Sequence, residues 1–96
     1  MDVLITYDVS TEKPEGQRRL RHAAKICLDF GQRVQKSVFE CSVSDMQYEL
    51  LKDRLLSCID PTSDSLRFYR LPNHGEGAVE HFGIDDSIDF DGPLVI

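Results

Sequence analysis

The stretch RVQKSVFECSV, residues 33–43, decides how the chain folds, because it is longer than one short β-strand needs. It is rich in β-branched and aromatic residues, which favour β-structure. Phe39, Cys41 and Val43 alternate with mostly polar neighbours, which is the period of a strand with one buried face. We therefore predict a pair of strands that bends near residues 35–36.

A strand and a helix precede this pair. Residues 2–9, which contain VLITY, form the first predicted strand, and the turn-rich segment STEKPEG follows it. In GQRRLRHAAKICLDFG, apolar residues recur at the i, i+3, i+4 and i+7 spacing of a helix face. These residues are Leu20, Ala23, Ala24 and Cys27. Gly31 is expected to end the helix as a C-terminal cap.

A second helix and a final core strand follow the pair. Ser44 with Gln47 three residues later has the spacing of a capping box, which predicts a helix start. Tyr48, Leu51, Leu55 and Ile59 then form an apolar stripe at helical spacing. Asp60 and Pro61 end the helix, and SLRFYRL, residues 65–71, is the last core strand.

The order strand, helix, strand pair, helix, strand predicts an α+β fold, a ferredoxin-like βαββαβ two-layer sandwich with both helices on one sheet face. The other face is then bare, although strands such as VLITY are apolar on both faces. We expect a second copy of the chain to cover it, which makes the protein a two-fold symmetric homodimer.

The chain divides into a core and a tail. Residues 1–72 form the ferredoxin-like core, and residues 73–96 form an acidic C-terminal tail. The tail ends in DGPLVI, a short apolar strand after a Gly-Pro break. Such a segment is expected to add to a sheet edge, in its own chain or across the dimer.

Composition predicts one small domain in the cytoplasm. The 96 residues are 41% hydrophobic and 29% charged, and no run approaches the roughly 18 apolar residues of a membrane span. No basic region or cleavage signal precedes the first strand, so no membrane partner is expected. The three cysteines Cys27, Cys41 and Cys58 lie in apolar periodic segments, which favours reduced buried thiols over disulfides or zinc ligands.

Charge is unevenly distributed along the chain. The net charge is −6, yet residues 1–75 hold 11 acidic and 11 basic side chains, and residues 76–96 hold six acids and no Lys or Arg. Residues 13–36 contain seven basic side chains and only two acidic ones. This third of the chain is therefore a candidate phosphate-binding surface.

The first strand ends in a carboxylate, Asp8. A magnesium ion keeps several of its waters, so one or two carboxylates plus substrate phosphate oxygens are enough to hold it. If a two-fold axis passes near this strand end, the two Asp8 side chains of a dimer share one ion, and metal-assisted phosphodiester hydrolysis becomes the natural reaction. The alternative is a turn residue that bonds its own backbone, and residue type alone does not choose between them.

Three stretches together resemble a known family: VLITYDVS, GQRRLRHAAKICLDFGQ and RVQKSVFEC. The likeness continues through DSLRFYRL and VEHFG to DGPLVI. The family is the small universal CRISPR-associated adaptation protein, labelled an endoribonuclease, which partners the larger CRISPR integrase subunit in spacer acquisition. The resemblance implies a ferredoxin-like homodimer in which Asp8 is the catalytic residue and binds Mg²⁺ at the dimer interface.

The resemblance also implies a set of nucleic-acid-binding residues. They are Tyr7, Arg18, Arg19, Arg21, Arg33 and Ser37. Tyr7, Arg33 and Ser37 lie in matching motifs, and Arg19 and Arg21 are the best helix matches with Arg18 adjacent. Lys36 stands where relatives often carry an aromatic residue, which puts a contact by that side chain in question.

Each of these residues also has a structural reading. Phe39 is either a core residue or an aromatic ring on which a base stacks. Arg18, Arg21 and Lys25 are either an ordinary solvated helix face or contacts to phosphate. Tyr7 either packs in the dimer or places its hydroxyl near a phosphate. Ser37 is either a turn residue or a hydrogen-bond donor to a phosphate.

Two functions follow. The first is Mg²⁺-dependent cleavage of RNA or DNA at the paired Asp8 site. The second is a non-catalytic homodimeric scaffold that binds duplex DNA and the integrase subunit during spacer integration. A metabolite-binding regulatory domain is a weaker third reading, because the sequence has no glycine-rich ligand turn.

Overall fold

The computed structural model describes residues 1–71 and 79–84. This part of the chain contains two helices and a five-stranded antiparallel sheet, whose elements occur in the following order. They are β1 (Asp2–Asp8), α1 (Pro14–Phe30), β2 (Gly31–Gln35), β3 (Val38–Ser42), α2 (Asp45–Cys58), β4 (Ser65–Leu71) and β5 (Val79–Gly83). The sheet order is β2-β3-β1-β4-β5. The predicted ferredoxin-like α+β fold is confirmed, with β5 added beside β4.

The strand pair predicted from residues 33–43 is the hairpin β2–β3. Its register changes between Arg33 and Gln35, next to the predicted bend. Phe39 and Cys41 point into the core, and Glu40 and Ser42 are exposed, as their alternation indicates.

Helix α1 ends where Gly31 approaches the neighbouring strand. The Gly31 N–H bonds the Cys27 carbonyl, and a β-carbon at Gly31 would lie 2.2 Å from the Glu40 carbonyl oxygen. Any other residue would push the start of β2 away from its register partner Cys41 on β3. The predicted helix stop at Gly31 is confirmed, and glycine is also needed there for packing. The buried face of α1 is centred on Ala23, Ile26 and Cys27, whereas Leu20 and Ala24 pack at its margin.

Helix α2 begins as the sequence predicts. The Ser44 hydroxyl accepts the Gln47 N–H at 3.2 Å, and the Gln47 side chain accepts the Ser44 N–H at 2.8 Å. Both bonds of the capping box are therefore present. Tyr48, Leu51 and Leu55 are buried along the predicted stripe.

The core lies between the helices and one face of the sheet. Its largest fully buried side chains include Phe39, Phe68, Ile5, Leu51 and Leu66. Cys27 and Cys41 are buried free thiols within this core. Burial raises the pKa of Cys27 to about 12 and that of Cys41 to about 11, so both stay protonated at neutral pH.

Neither helix of the described residues covers the other sheet face. Leu4, Thr6, Arg67 and Tyr69 alternate with the buried residues of β1 and β4 and are partly exposed there. This surface is where the second copy of the chain is expected. In the described residues, no helix has the length and apolar character needed to cross a membrane.

Strand β5 lies in the stretch that the sequence analysis assigned to the tail. Val79–Gly83 pairs antiparallel with β4, Val79 opposite Tyr69 and Gly83 opposite Ser65. An edge strand of five residues with Glu80 and His81 at its centre has a weak apolar pattern, which is why periodicity did not reveal it. The predicted strand at residues 91–96 lies outside the described residues.

Candidate functional site

Asp8 is the last residue of β1 and is exposed. By the alternation of β1 its side chain shares the helix-free sheet face with Thr6, and its register partner on β4 is Ser65. Within residues 1–71 and 79–84, the Asp8 carboxylate forms no hydrogen bond or ion pair. A turn residue would hydrogen-bond its own backbone through its carboxylate, and Asp8 forms no such bond within these residues.

The donor set at Asp8 fits an ion that is mostly hydrated. Residues 1–71 and 79–84 contain no group of three or more His, Cys, Asp or Glu side chains able to hold a metal ion. The Asp8 carboxylate is a hard oxygen ligand, which suits Mg²⁺ with water and phosphate as its remaining ligands. It does not suit zinc, which needs three or four protein ligands.

The loop that follows Asp8 is held in place by a buried carboxylate, Asp64. The Asp64 side chain is fully buried and accepts the N–H of Ser10 at 3.0 Å and that of Asp60 at 2.8 Å. Arg19 donates to it from Nε at 2.8 Å and from Nη2 at 3.2 Å. This network joins the end of β1 to the start of β4, and so fixes the backbone beside Asp8.

Charge pairing keeps Asp64 ionised despite its burial. Burial alone raises the pKa of Asp64, but the hydrogen bonds from Arg19, Asp60 and Ser10 outweigh it and lower the pKa below its ordinary value. The carboxylate is therefore charged at neutral pH, and its charge is balanced by the Arg19 guanidinium.

The three predicted helix arginines have different surroundings. The Arg19 side chain is 22% exposed and is engaged by Asp64, with Ser63 Oγ 3.4 Å from its Nη2. Arg18 is 64% exposed, 3.8 Å from Glu15, and Arg21 is exposed. Arg18 and Arg21 are thus available to an external phosphate, whereas Arg19 has an internal partner.

Tyr7 lies on the helix side of the sheet, opposite Asp8. Its ring stacks on Phe39 with centroids 6.0 Å apart, and its hydroxyl is 3.5 Å from the Lys36 carbonyl oxygen. The Arg33 guanidinium lies over the Phe39 ring at 5.0 Å. Burial raises the pKa of Tyr7, and Arg33 offsets part of that increase. Phe39 is fully buried, so its reading as a core residue is confirmed.

Four of the predicted nucleic-acid-binding residues line one groove between α1 and the β2–β3 hairpin, which we call the α1–hairpin groove. They are Tyr7, Arg21, Arg33 and Ser37. The groove has a volume of about 490 Å³. Asp8, Arg18 and Arg19 do not line it. The structure thus separates the predicted residues into a carboxylate on one sheet face and a basic groove on the other.

Sequence reasoning missed Asp64 as a residue that supports the site. Asp64 follows Pro61, Thr62 and Ser63, a composition typical of an exposed turn. Nothing local distinguishes a buried turn carboxylate from an exposed one, and the signal that pairs it with Arg19 lies 45 residues away.

Comparison with known proteins decides the family. The family model described as "CRISPR associated protein Cas2" matches residues 1–79. The chain belongs to the Cas2 family. This agrees with the resemblance carried by VLITYDVS and RVQKSVFEC.

Two curated relatives of this Cas2 family member match over nearly their full length. "CRISPR-associated endoribonuclease Cas2 1" of Moorella thermoacetica is 59% identical over 96 residues, which is all of both chains. "CRISPR-associated endonuclease Cas2" of Halalkalibacterium halodurans is 54% identical over 95 residues, 99% of each chain. The crystal structure of Streptococcus pyogenes Cas2 at pH 6.5 superposes with a TM-score of 0.70 at 59% identity, covering 74% of this chain and 86% of that one.

Proposed function

We propose that this Cas2 family member is a homodimeric, Mg²⁺-dependent endoribonuclease of a CRISPR system that cleaves at a pair of Asp8 carboxylates. The observation that carries the proposal is Asp8 itself, an exposed carboxylate at the end of a buried strand, without a partner among the described residues. The names of the Moorella and Halalkalibacterium relatives, one an endoribonuclease and the other an endonuclease, support phosphodiester cleavage.

The helix-free sheet face supports the pairing of two chains. Leu4, Tyr69 and Val79 form one cross-strand row on that face, with Tyr69 facing Leu4 on one side and Val79 on the other. Burying apolar side chains at these positions stabilises the protein, and a second copy related by a two-fold axis buries them against the same surface of its own. In such a dimer the Asp8 residues of the two chains lie on facing sheets.

The residues of the chain have separate roles in the proposed reaction. Asp8 from each chain would hold the ion, which when bound would supply a Lewis acid for a phosphoryl oxygen and a source of activated water. Exposed Arg18 and Arg21 attract the phosphate backbone. The Arg19–Asp64 pair positions the backbone that carries Asp8.

The test is metal-dependent cleavage by an Asp8→Asn variant, with Asp2→Asn as a matched control. Asp2 is exposed at the opposite end of the same strand and, by alternation, on the same face. With labelled single-stranded RNA and Mg²⁺, we expect Asp8→Asn to lower the cleavage rate at least about 100-fold, because a ligand charge is lost with almost no change of volume. Asp2→Asn should stay within about twofold.

Parallel reactions on single-stranded DNA and on duplex DNA test the choice of RNA. Size-exclusion chromatography with light scattering verifies that both variants remain dimers. Undiminished Mg²⁺-dependent cleavage by dimeric Asp8→Asn contradicts the proposal.

A second function is favoured by the exposed cations of α1. Arg18, Arg21 and Lys25 are exposed on the layer away from Asp8, so they offer phosphate contacts that need no catalysis. In this function the dimer is a scaffold that binds duplex DNA and the CRISPR integrase subunit during spacer integration.

The scaffold function predicts salt-dependent duplex binding that Asp8→Asn leaves unchanged. Neutralising Arg18 and Arg21 together should weaken binding and reduce the slope of log K against log salt by about two. Arg19 is left intact, since losing its bond to Asp64 would confuse binding with folding. Duplex binding that is insensitive to salt and to both arginines contradicts this function.

A further inference from the structure

The α1–hairpin groove has a basic rim that carries no acidic side chain among the described residues that line it. The rim residues are Arg21, Lys25, Arg33 and Lys36. None of the four forms an ion pair within residues 1–71 and 79–84. In a chain of net charge −6, four cations gathered at one recess without a balancing carboxylate predict an anionic occupant.

The wall of the same groove is apolar. Leu20, Ala24 and Leu28 of α1 line it, and Tyr7 lies among the lining residues with its hydroxyl beside the Lys36 carbonyl. Leu28 is 52% exposed, although it belongs to the side of α1 that borders the groove. An apolar wall beneath a cationic rim is suited to a ligand with a flat apolar part and an attached phosphate.

We propose that the α1–hairpin groove binds one unpaired nucleotide of a single strand, with its base against the Leu28 wall and its phosphate on the rim cations. The volume of about 490 Å³ falls within the range of small-ligand pockets. Bases of a duplex are stacked and paired with each other, so they cannot enter a recess, whereas an unpaired base can lie against apolar and aromatic side chains. The apolar wall of the groove therefore distinguishes single strands from duplexes, whereas the rim cations contact phosphates of either.

This site is separate from Asp8, which lies on the opposite face of β1. Its test is binding without divalent metal, so the outcome does not depend on whether Asp8 cleaves. The probes are a fluorescein-labelled RNA hexamer, a strand of the same length and phosphate number that lacks bases, and a blunt duplex, each titrated with the full-length protein in EDTA.

Leu28→Gln tests the apolar wall. We expect it to weaken hexamer binding about fivefold with the salt slope unchanged, because it removes base contact and no charge. Duplex binding and binding of the baseless strand should change less than twofold. Leu28 is exposed, so the variant is expected to fold, and circular dichroism verifies this.

Lys25→Gln tests the rim, with Lys13→Gln as its matched control. Lys13 is an exposed cation that precedes the same helix and does not line the groove. We expect Lys25→Gln to weaken hexamer binding about threefold and to reduce the salt slope by about one. Lys13→Gln should change hexamer binding less than twofold.

Three results overturn the proposal. They are hexamer affinity unchanged by Leu28→Gln, equal weakening of hexamer and duplex by that variant, and a baseless strand that binds as tightly as the hexamer. Displacement of the hexamer by micromolar adenosine 5′-monophosphate overturns the assignment to a strand, because the occupant would then be a free nucleotide.

Discussion

Replacing Asp64 by Asn tests whether the buried Arg19–Asp64 pair holds the end of β1. The Asp64 Oδ1 atom accepts the N–H of Ser10, an N–H from Arg19 Nη2 and, at 3.4 Å, the Ser63 hydroxyl. The Oδ2 atom accepts the N–H of Asp60 and that of Arg19 Nε. In either orientation, an asparagine amide places its NH₂ against two N–H donors. The variant thus loses two hydrogen bonds and the charge that balances Arg19.

We expect the free energy of unfolding to fall by about 3 kcal/mol, within the range for breaking a buried pair and for hydrogen bonds to charged groups. Arg19 is 22% exposed, so water recovers part of its solvation, and the loss should stay below about 5 kcal/mol. Urea unfolding followed by circular dichroism at one protein concentration measures it.

The control is Asp29→Asn, which removes a partner from the Arg54–Asp29 pair. Its N–O distance is 3.0 Å, but the two side chains are 40% and 48% exposed. An exposed pair contributes little, and Asp29 lies near the C-terminal end of α1, where a negative charge is unfavourable. We expect a change within about 0.5 kcal/mol. A loss at Asp64→Asn as small as that at Asp29→Asn would refute the structural role.

The pH dependence has a definite sign. The pKa of Asp64 in the folded chain lies below its ordinary value of 3.8. Its stabilisation is therefore complete above about pH 4 and is lost as the pH falls through the folded-state pKa. The difference in unfolding free energy between wild type and Asp64→Asn should be full at pH 7 and smaller at pH 3. A difference that grows on acidification would contradict this assignment.

Two further predictions concern the attachment of β5 and the thiols. The Tyr48 hydroxyl donates to Glu80 of β5, so Tyr48→Phe should lower the free energy of unfolding by about 1–1.5 kcal/mol. The same variant should speed amide hydrogen exchange in β5, measured by mass spectrometry, and unchanged exchange would argue against this attachment. Cys27 and Cys41 are buried with raised pKa values, so at most Cys58 should react with a thiol reagent before unfolding, and all three in urea. Prompt reaction of two or more thiols in the native protein would contradict the packing.

Local patterns were enough to predict most of the fold. Alternation around Phe39 indicated the β2–β3 hairpin, and the spacing of Ser44 and Gln47 indicated the start of α2. Both signals are properties of neighbouring residues, so they survive without tertiary information. The stripe on α1 was less well predicted, because Ile26 lies at the centre of the buried face and the choice among similar apolar residues is made by packing against the sheet.

The candidate site was predictable only in part. Asp8 was selected by its place at a strand end, but its pairing across a dimer remains a prediction. The separation of Arg19 from Arg18 and Arg21 was not predictable, since adjacent arginines look alike until Asp64 is seen beside one of them. Strand β5 was missed because an edge strand need not alternate strongly.

The most direct test of the shared Asp8 site is the number of Mn²⁺ ions bound per chain, with Mn²⁺ in place of Mg²⁺ and electron paramagnetic resonance as the detector. The paired site predicts one ion per two chains in the wild-type dimer and loss of that ion in Asp8→Asn while the dimer persists. One ion per chain, or unchanged binding by the Asp8→Asn dimer, would contradict it.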